Sequence, residues 1–317
     1  MKKNSFLTNM KLLGLSLCSF ALITQCAPEK KEPFFKISLA QWSINKMVKA
    51  GTVSQYDFAR LASEWGFEGI EYVSQLYFDV AEAEDKEAAL QTFVEKSKAA
   101  SEKYGIQNVL IMIDHEGDLS APDSIVRAKA VSDHMGWVKA AAALGCHAVR
   151  VNLDGTEDPE EWLETSVAGL SELARQAAEY NINVIVENHG DLSSNIDLLM
   201  QVINTVDLPN CGTLPDFGNF CMKGATAIRD ASCEKVYPIY QGVTNMLPKA
   251  LAVSAKAYEF DAQGAEIHID YTKMLKLVHN AGYAGFVGVE YEGDKLSESD
   301  GIKATKALLI DAAQAIE

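Results

Sequence analysis

The sequence predicts an α/β protein of the (β/α)8, or TIM-barrel, class, and three observations lead to this expectation. Short apolar segments rich in β-branched residues alternate along the chain with longer segments of helical spacing. About eight such pairs follow one another within roughly 280 residues, a length that suits one barrel. No stretch of linker-like composition divides the run, so we expect a single domain.

The predicted elements alternate strictly, and several helices stop at a glycine, as at Gly105 and Gly145. The predicted strands cover residues 35–42, 69–73, 108–113, 147–152, 183–187, 211–215, 250–256 and 285–290. The predicted helices cover residues 53–65, 85–104, 122–144, 158–180, 192–206, 228–241, 271–280 and 297–316.

The N-terminal segment has the pattern of an export signal. Residues 1–25 contain three lysines and no acid, and the apolar run 12–23 is too short to span a bilayer. Residues 22–26, Leu-Ile-Thr-Gln-Cys, resemble a bacterial lipobox, although Gln25 replaces the usual small residue. We therefore expect a lipoprotein-type signal peptide at 1–25, lipidation at Cys26, a linker at 26–34 and the barrel at 35–317. The implied location is the cell envelope, with the lipid anchor as the only membrane attachment.

Charge and cysteine usage exclude two classes of function. The formal net charge of -16 repels phosphate backbones, which disfavours nucleic-acid binding. Beyond the signal and Cys26, four cysteines remain and none forms a CxxC pair, so zinc-finger and redox motifs are absent. Export would permit a disulfide. We expect none, because Cys146 and Cys211 stand at strand starts where a small apolar side chain suffices.

Polar side chains gather at the carboxyl ends of the predicted strands, which meet at one mouth in a barrel. These residues are Gln41, Trp42, Glu71, Asp114, His115, Arg150, Asn152, Glu187, Asn188, His189, Asp216, Asn219, Ser254, Lys256, Glu290 and Glu292. Three acids, Glu187, Asp216 and Glu290, end three of the last four strands. Neighbouring carboxylates repel one another unless a proton or a cation lies between them, so a divalent metal is expected. Oxygen ligands favour Mn²⁺ or Mg²⁺, and an added imidazole would admit Zn²⁺ or Co²⁺.

Three motifs carry a family resemblance. Val-Glu-Asn-His-Gly at 186–190, Pro-Asp-Phe-Gly-Asn-Phe at 215–220 and the segment 282–293 resemble the xylose-isomerase-like barrel superfamily. That superfamily includes sugar phosphate isomerases/epimerases, ketose 3-epimerases, inosose dehydratases and apurinic endonucleases. The similarity runs from about residue 37 to residue 316.

The resemblance implies a metal held by Glu187, Asp216, Glu290 and a histidine from the seventh strand. Here Ser254 stands where that histidine is expected, and Ala257 stands where the family has an aspartate. Serine is a poor ligand, so two alternatives stay open. A water molecule, His189 or Asn219 completes the metal site, or the site is free of metal.

The resemblance also implies that Glu187 and Glu290 act as acid and base on opposite faces of the carbon beside a carbonyl. If the metal is absent, Lys256 is the substitute electrophile; the alternative role for Lys256 is a salt bridge to one of the acids. The expected substrate-binding residues are His189, Asn188, Glu71, His115, Arg150, Asn219 and Trp42. For Asn188 and His189 the alternative is loop stabilisation, for Arg150 a scaffold ion pair, and for Trp42 plain packing.

The predicted function is that of an exported sugar isomerase or epimerase acting on a neutral sugar or keto-sugar. No glycine-rich phosphate cradle or basic cluster is present in the sequence. Two alternatives remain: a lyase or dehydratase on keto-glycosides with the same two glutamates, and a catalytically silent sugar-binding lipoprotein. An apurinic endonuclease is disfavoured, because those enzymes carry a histidine-rich zinc cluster and the second and third strands here offer only Glu71 and His115.

Overall fold

The computed structural model describes residues 32–316; the predicted signal segment and Cys26 lie outside this range. Its strands are β1 (Lys36–Ala40), β2 (Gly69–Val73), β3 (Gln107–Met112), β4 (Ala148–Val151), β5 (Asn183–Glu187), β6 (Cys211–Leu214), β7 (Cys221–Lys223), β8 (Lys235–Val236), β9 (Val253–Ala257) and β10 (Phe286–Tyr291). Its helices are α1 (Asn45–Lys49), α2 (Phe58–Glu64), α3 (Phe78–Ala81), α4 (Lys86–Tyr104), α5 (Ser124–Leu144), α6 (Pro159–Ala178), α7 (Ile196–Val206), α8 (Ile239–Met246), α9 (Tyr271–Asn280) and α10 (Glu298–Gln314). Short 3-10 turns cover residues 41–44, 55–57, 74–76, 191–194 and 247–249.

Eight parallel strands form the barrel in the order β6-β5-β4-β3-β2-β1-β10-β9. The ring closes between β6 and β9 through two isolated bridges, Thr213 with Ala250 and Asp216 with Ser254. The predicted (β/α)8 class is therefore confirmed. All carboxyl ends of the barrel strands point to one mouth, so the polar strand ends are brought together there.

The sequence explains most helix boundaries. Asp123 accepts hydrogen bonds from the first backbone amides of α5, and Asp158 does the same for α6, which has Pro159 at its first position. Gly105 and Gly145 end α4 and α5 with φ of 64° and 77°, a conformation that glycine adopts without penalty. Between the helices and the sheet lies a continuous apolar core that includes Phe93 and Trp162. Within residues 32–316, no helix combines the length and the apolar content needed to cross a membrane.

The predicted helix at 228–241 is wrong. The strand β8 lies within this range and pairs antiparallel with β7 as a two-stranded ribbon, and the helix α8 begins only after Pro238. A proline disfavours the helical conformation for the residue before it, so Pro238 keeps Tyr237 out of the helix and α8 starts after the proline. Asp230 accepts a hydrogen bond from the backbone N–H of Ser232, which favours a turn within the predicted helix.

The expectation of no disulfide is also wrong. Cys221 and Cys233 are joined within the ribbon, where their Cα atoms lie 5.8 Å apart. Pairing of β7 with β8 brings the two cysteines together, and this pairing left no periodic signal in the sequence. Cys146 and Cys211 are free and buried, as expected of small apolar side chains at strand starts.

Candidate active site

A cavity of about 350 Å³ opens at the mouth of the barrel. Its wall consists of Trp42, Val73, Gln75, Asp114, His115, Arg150, Asn152, Asp154, Glu187, His189, Asn219, Thr226, Ala227, Glu290 and Glu292. Most of these residues lie at or just beyond the ends of barrel strands. The cavity is therefore built by the parallel order of the strands rather than by any single segment.

Three buried carboxylates meet beside this cavity, two of them on its wall and one behind it, and we call Glu187, Asp216 and Glu290 the carboxylate triad. One oxygen atom from each lies within 4.8 Å of one oxygen of the other two. Glu187 ends β5, Asp216 follows β6 and Glu290 lies in β10. The three acids that the sequence places at strand ends are thus close enough to share a cation or a proton.

Glu187 is held between an amide and a guanidinium. The side chain of Asn219 donates a hydrogen bond of 2.9 Å to Oε1, and Nε of Arg150 lies 2.9 Å from Oε2. Burial raises the pKa of Glu187 to about 7 although the charge of Arg150 opposes the shift. A carboxyl group with this pKa exchanges its proton readily near neutral pH, as an acid/base catalyst must.

Arg150 also pairs with a second carboxylate. Its Nη1 donates a hydrogen bond of 2.7 Å to Oδ1 of Asp114. For Asp114, burial alone would raise the pKa, but the adjacent Arg150 outweighs burial and lowers it. Arg150 therefore serves as a scaffold for two acids, one of the roles that the sequence left open, while also forming part of the cavity wall.

Asp216 is oriented by the loop that follows β6. Its Oδ1 accepts hydrogen bonds of 2.8 Å from the backbone amides of Gly218 and Asn219, while Oδ2 has no hydrogen-bond partner. Burial raises the pKa of Asp216 to about 7, against the opposing charge of Lys256. Asp216 is not on the cavity wall; it lies behind Asn219 and next to the ammonium of Lys256.

Lys256 lies below the cavity, enclosed by acids. Its Nζ is 2.6 Å from Oε1 of Glu292, 3.1 Å from Oε1 of Glu290 and 3.6 Å from Oδ2 of Asp216. These carboxylates raise the pKa of Lys256 well above its usual value, although burial opposes the shift. Of the two roles predicted for Lys256, the contacts show the salt bridge. Lys256 itself is not among the residues that line the cavity, although Glu290 and Glu292, which it contacts, are.

The triad could bind a divalent metal ion. Oε2 of Glu187 and Oδ2 of Asp216 are buried and accept no hydrogen bond, although the cationic groups of Arg150 and Lys256 lie 2.9 Å and 3.6 Å from them. Carboxylate oxygens suit hard cations. Ser254, at the position expected for the fourth ligand, does not complete the ligand set. Its hydroxyl instead donates a hydrogen bond of 3.0 Å to Oε2 of Glu290. The donor atoms therefore fit a metal at three positions, and the fourth is directed at a protein group.

The predicted substrate-binding residues fall into two groups. Trp42, His115, Arg150, His189 and Asn219 line the cavity. Glu71 and Asn188 do not.

The contacts of Glu71 and Asn188 explain why they are off the wall. Oε1 of Glu71 accepts a hydrogen bond of 2.5 Å from Ser38 inside the barrel, and burial raises the pKa of Glu71 to about 8. Asn188 donates to the backbone carbonyls of Asp216 and Asn219 and accepts from the amide of Asp216. Asn188 thus has the loop-stabilising role that was its alternative.

Four polar or small wall residues were missed by the sequence reading. Gln75 and Asp154 lie within three residues of the ends of β2 and β4. A search that included the three residues after each predicted strand would have found them. Thr226 and Ala227 belong to the segment between β7 and β8, just before the wrongly predicted helix. No local pattern marks these two, because only the folded ribbon turns them toward the cavity.

Comparison with known proteins supports the fold independently. A family model described as xylose isomerase-like TIM barrel matches residues 59–312. A comparison with curated protein sequences finds no match.

Several solved structures share the fold. The 3-keto-D-glucoside 4-epimerase from E. coli is 14% identical, with a TM-score of 0.63 over 87% of this chain and 98% of that one. The D-allulose 3-epimerase from Methylomonas sp. is 14% identical, with a TM-score of 0.65 over 89% and 99%. A xylose isomerase-like TIM barrel protein from Mycobacterium smegmatis, in complex with magnesium, is 16% identical, with a TM-score of 0.62 over 90% and 100%. At these identities the likeness shows a common fold.

The matched residues include seven of the eight barrel strands and all three carboxylates of the triad. With this match, the chain belongs to the xylose isomerase-like TIM barrel family.

Proposed function

We propose that this protein is an enzyme of the sugar isomerase/epimerase type that removes a proton from the carbon beside a carbonyl of a neutral keto-sugar. The observation that carries the proposal is the pair Glu187 and Glu290, two buried carboxylates on the wall of one cavity. They come from β5 and β10, which are not neighbours in the barrel, so they approach the cavity from different sides. The epimerases among the structural neighbours act on a 3-keto-glucoside and on allulose, in agreement with this reaction type.

In the proposed reaction one glutamate, as carboxylate, takes the proton from the carbon, and the electron pair of the C–H bond moves into an enolate. The other glutamate, as carboxylic acid, returns a proton to the opposite face of the same carbon for epimerisation. Because the pKa of Glu187 is about 7, that residue can hold either role near neutral pH. The ammonium of Lys256 lies 3.1 Å from Glu290, so in this proposal the lysine orients the glutamate rather than acting on the sugar.

The developing enolate oxygen needs hydrogen-bond donors. Arg150, His189 and Asn219 line the cavity and can supply them. Burial lowers the pKa of His189, and Arg150 lowers it further, so its imidazole is neutral and retains one N–H donor. A divalent ion held by Glu187, Asp216 and Glu290, of the Mn²⁺, Mg²⁺, Zn²⁺ or Co²⁺ kind, would polarise the carbonyl when bound.

The charge of the wall favours a neutral substrate. Five acids line the cavity, Asp114, Asp154, Glu187, Glu290 and Glu292, against the single guanidinium of Arg150. A phosphate group would be repelled by this surface. The substrate class we propose is therefore an unphosphorylated sugar or keto-glycoside, with no nucleic acid as a partner.

We further propose that the protein is exported and anchored in the cell envelope through a lipid on Cys26. The Cys221–Cys233 disulfide supports an oxidising compartment, where such bonds persist. Fractionation of cells that express the native chain or Cys26→Ser tests the anchor. The native chain should partition with membranes and the variant should not; equal partitioning would rule the lipid anchor out.

The reaction is tested by incubating the purified protein with 3-keto-glucosides and free ketoses in D₂O and following the sugar by NMR. We expect deuterium at one carbon beside the carbonyl, with loss of incorporation by at least about a hundredfold in Glu187→Gln and Glu290→Gln. Binding of these sugars without any exchange would overturn the enzyme proposal in favour of a catalytically silent sugar-binding protein.

A lyase acting on keto-glycosides is the second candidate, and one observation favours it. A hollow of about 190 Å³ adjoins the cavity and shares Trp42 and Glu292 with it. That hollow offers room for the group attached to a sugar ring. Release of this group in the same NMR experiment, after proton removal and expulsion of the leaving group from the next carbon, would identify the lyase; an intact glycoside with inverted configuration would identify the epimerase.

A further inference from the structure

We infer that the ammonium of Lys256 is the resident counter-cation of the carboxylate triad, and that a divalent metal ion binds to the triad only in competition with it. This inference concerns ion binding and goes beyond the proposed reaction, because it holds for an epimerase, a lyase or a sugar-binding protein alike.

The first reason is the position of the ammonium. It lies 3.1 Å from Glu290 and 3.6 Å from Asp216, two of the three carboxylates that a metal would need as ligands. A bound divalent ion lies about 2.0–2.6 Å from its carboxylate oxygens, so it would be close to the ammonium in a buried site. Two adjacent cations in a buried site repel each other strongly. Metal binding therefore requires Lys256 to move or to lose its charge.

The second reason is that the lysine has little room to leave. The loop after β6 packs closely on the aliphatic part of the lysine side chain. If Gly218 carried a Cβ atom, that atom would lie only 2.8 Å from Cγ of Lys256. The backbone carbonyl of Lys256 also accepts a hydrogen bond of 2.8 Å from the hydroxyl of Tyr271. The side chain is 1% exposed. The only other acid that contacts the ammonium within the described residues, Glu292, already holds it at 2.6 Å.

The third reason is that protein groups take up the remaining ligand directions. Arg150 lies against Glu187, and the hydroxyl of Ser254 donates to Glu290 at the position where a fourth ligand is expected. Each member of the triad is therefore contacted by a cationic or hydrogen-donating side chain of the chain itself. Removing Lys256 would leave Asp216, Glu290 and Glu292 without their shared cation, which is the condition that attracts a metal ion.

The test measures metal binding directly, without any activity assay. The native protein, Lys256→Met and the control Lys249→Met are dialysed against EDTA, then titrated with MnCl₂ and ZnCl₂ by calorimetry and by thermal unfolding. Lys249 pairs with the exposed Asp207 at the surface, far from any triad contact, so it controls for the loss of one lysine charge. We expect Lys256→Met to bind one ion at least about tenfold more tightly than the native chain, with the control matching the native chain.

Two results would overturn the inference. The first is that the native chain binds one ion at micromolar concentration or below, which is tight binding with the lysine in place; this measurement needs no variant. The second is that Lys256→Met, with a native circular dichroism spectrum, binds the ion no more tightly than the native chain. If the methionine variant fails to fold, Lys256→Gln takes its place, because the amide can still donate a hydrogen bond to Glu292.

Discussion

Arg150 supports two buried carboxylates at once, with its guanidinium 2.7 Å from Asp114 and 2.9 Å from Glu187. Replacing it by methionine should lower the free energy of unfolding by about 3–5 kcal/mol, because both acids would be left buried without a cationic partner. Urea denaturation measures the loss. The control Arg229→Met removes a partly exposed ion pair with Asp294 and should cost less than about 1 kcal/mol. Similar losses for the two variants would contradict the scaffold role.

Glu71 makes stability depend on pH. Burial raises its folded pKa to about 8 from an ordinary value of 4.5. The folded state therefore retains a proton that the unfolded chain releases, and this costs more as pH rises from about 4.5 to about 8. This loss of stability is absent below the pKa of the unfolded chain and complete above the pKa of the folded protein.

Glu71→Gln should remove this dependence, since the amide resembles the protonated acid and can still accept the hydrogen bond from Ser38. Urea denaturation at pH 5 and pH 8.5 should show the native chain losing a few kcal/mol more than the variant. The exposed Glu64→Gln should follow the native chain. If Glu71→Gln declines as steeply as the native chain, the buried carboxyl is not the source.

At the scale of the elements, the disulfide of the β7–β8 ribbon joins residues 12 apart in sequence. Replacing Cys221 and Cys233 together by serine should destabilise the protein by about 2–4 kcal/mol, because the unfolded chain regains loop entropy. Thermal unfolding should show a lower midpoint, and limited proteolysis should show faster cleavage within residues 221–236. The native chain with the disulfide reduced is the matched control and should behave like the variant. An unchanged midpoint in both would mean that the ribbon is held by its other contacts.

Local patterns predicted most elements but failed where structure depends on distant contacts. The strand β2 and the helix α9 were predicted at their observed bounds, since an apolar run and a helical period are local properties. The ribbon was missed because its pairing and its disulfide appear only when the loop after β6 folds back. For the same reason Thr226 and Ala227 were not recognised as wall residues.

The sequence predicted which residues belong to the site better than it predicted what their side chains contact. Strand ends identified Arg150, Glu187 and Glu290 because parallel strands deliver their carboxyl ends to one mouth. The direction of Lys256 was open, since only the packed barrel shows that its ammonium is enclosed by carboxylates beneath the cavity. Glu71 was expected at the mouth, but its side chain turns into the barrel toward Ser38.

At the scale of the whole molecule, the barrel has one weak joint, and it adjoins the site. Seven neighbouring strand pairs form continuous parallel ladders, one of them, β2–β3, with a register shift at Ile70–Glu71, whereas β6 and β9 meet only through the two isolated bridges. Asp216, which forms one of these bridges, belongs to the carboxylate triad, so the joint carries one of the candidate metal ligands. Fewer backbone hydrogen bonds hold this joint, and local opening should therefore cost less free energy there than elsewhere in the barrel.

Hydrogen exchange measured by NMR tests this difference amide by amide. The amides that cross the joint, those of Leu251, Ser254 and Phe217, should exchange at least about tenfold faster than buried amides in the β2–β3 ladder. Burial does not account for such a difference, because Ser254 and Phe217 are as fully buried as residues in β3. Equal protection at both places would mean that the barrel opens only as a whole, and that the joint is held by side-chain contacts such as those of Lys256 with Asp216 and Glu290.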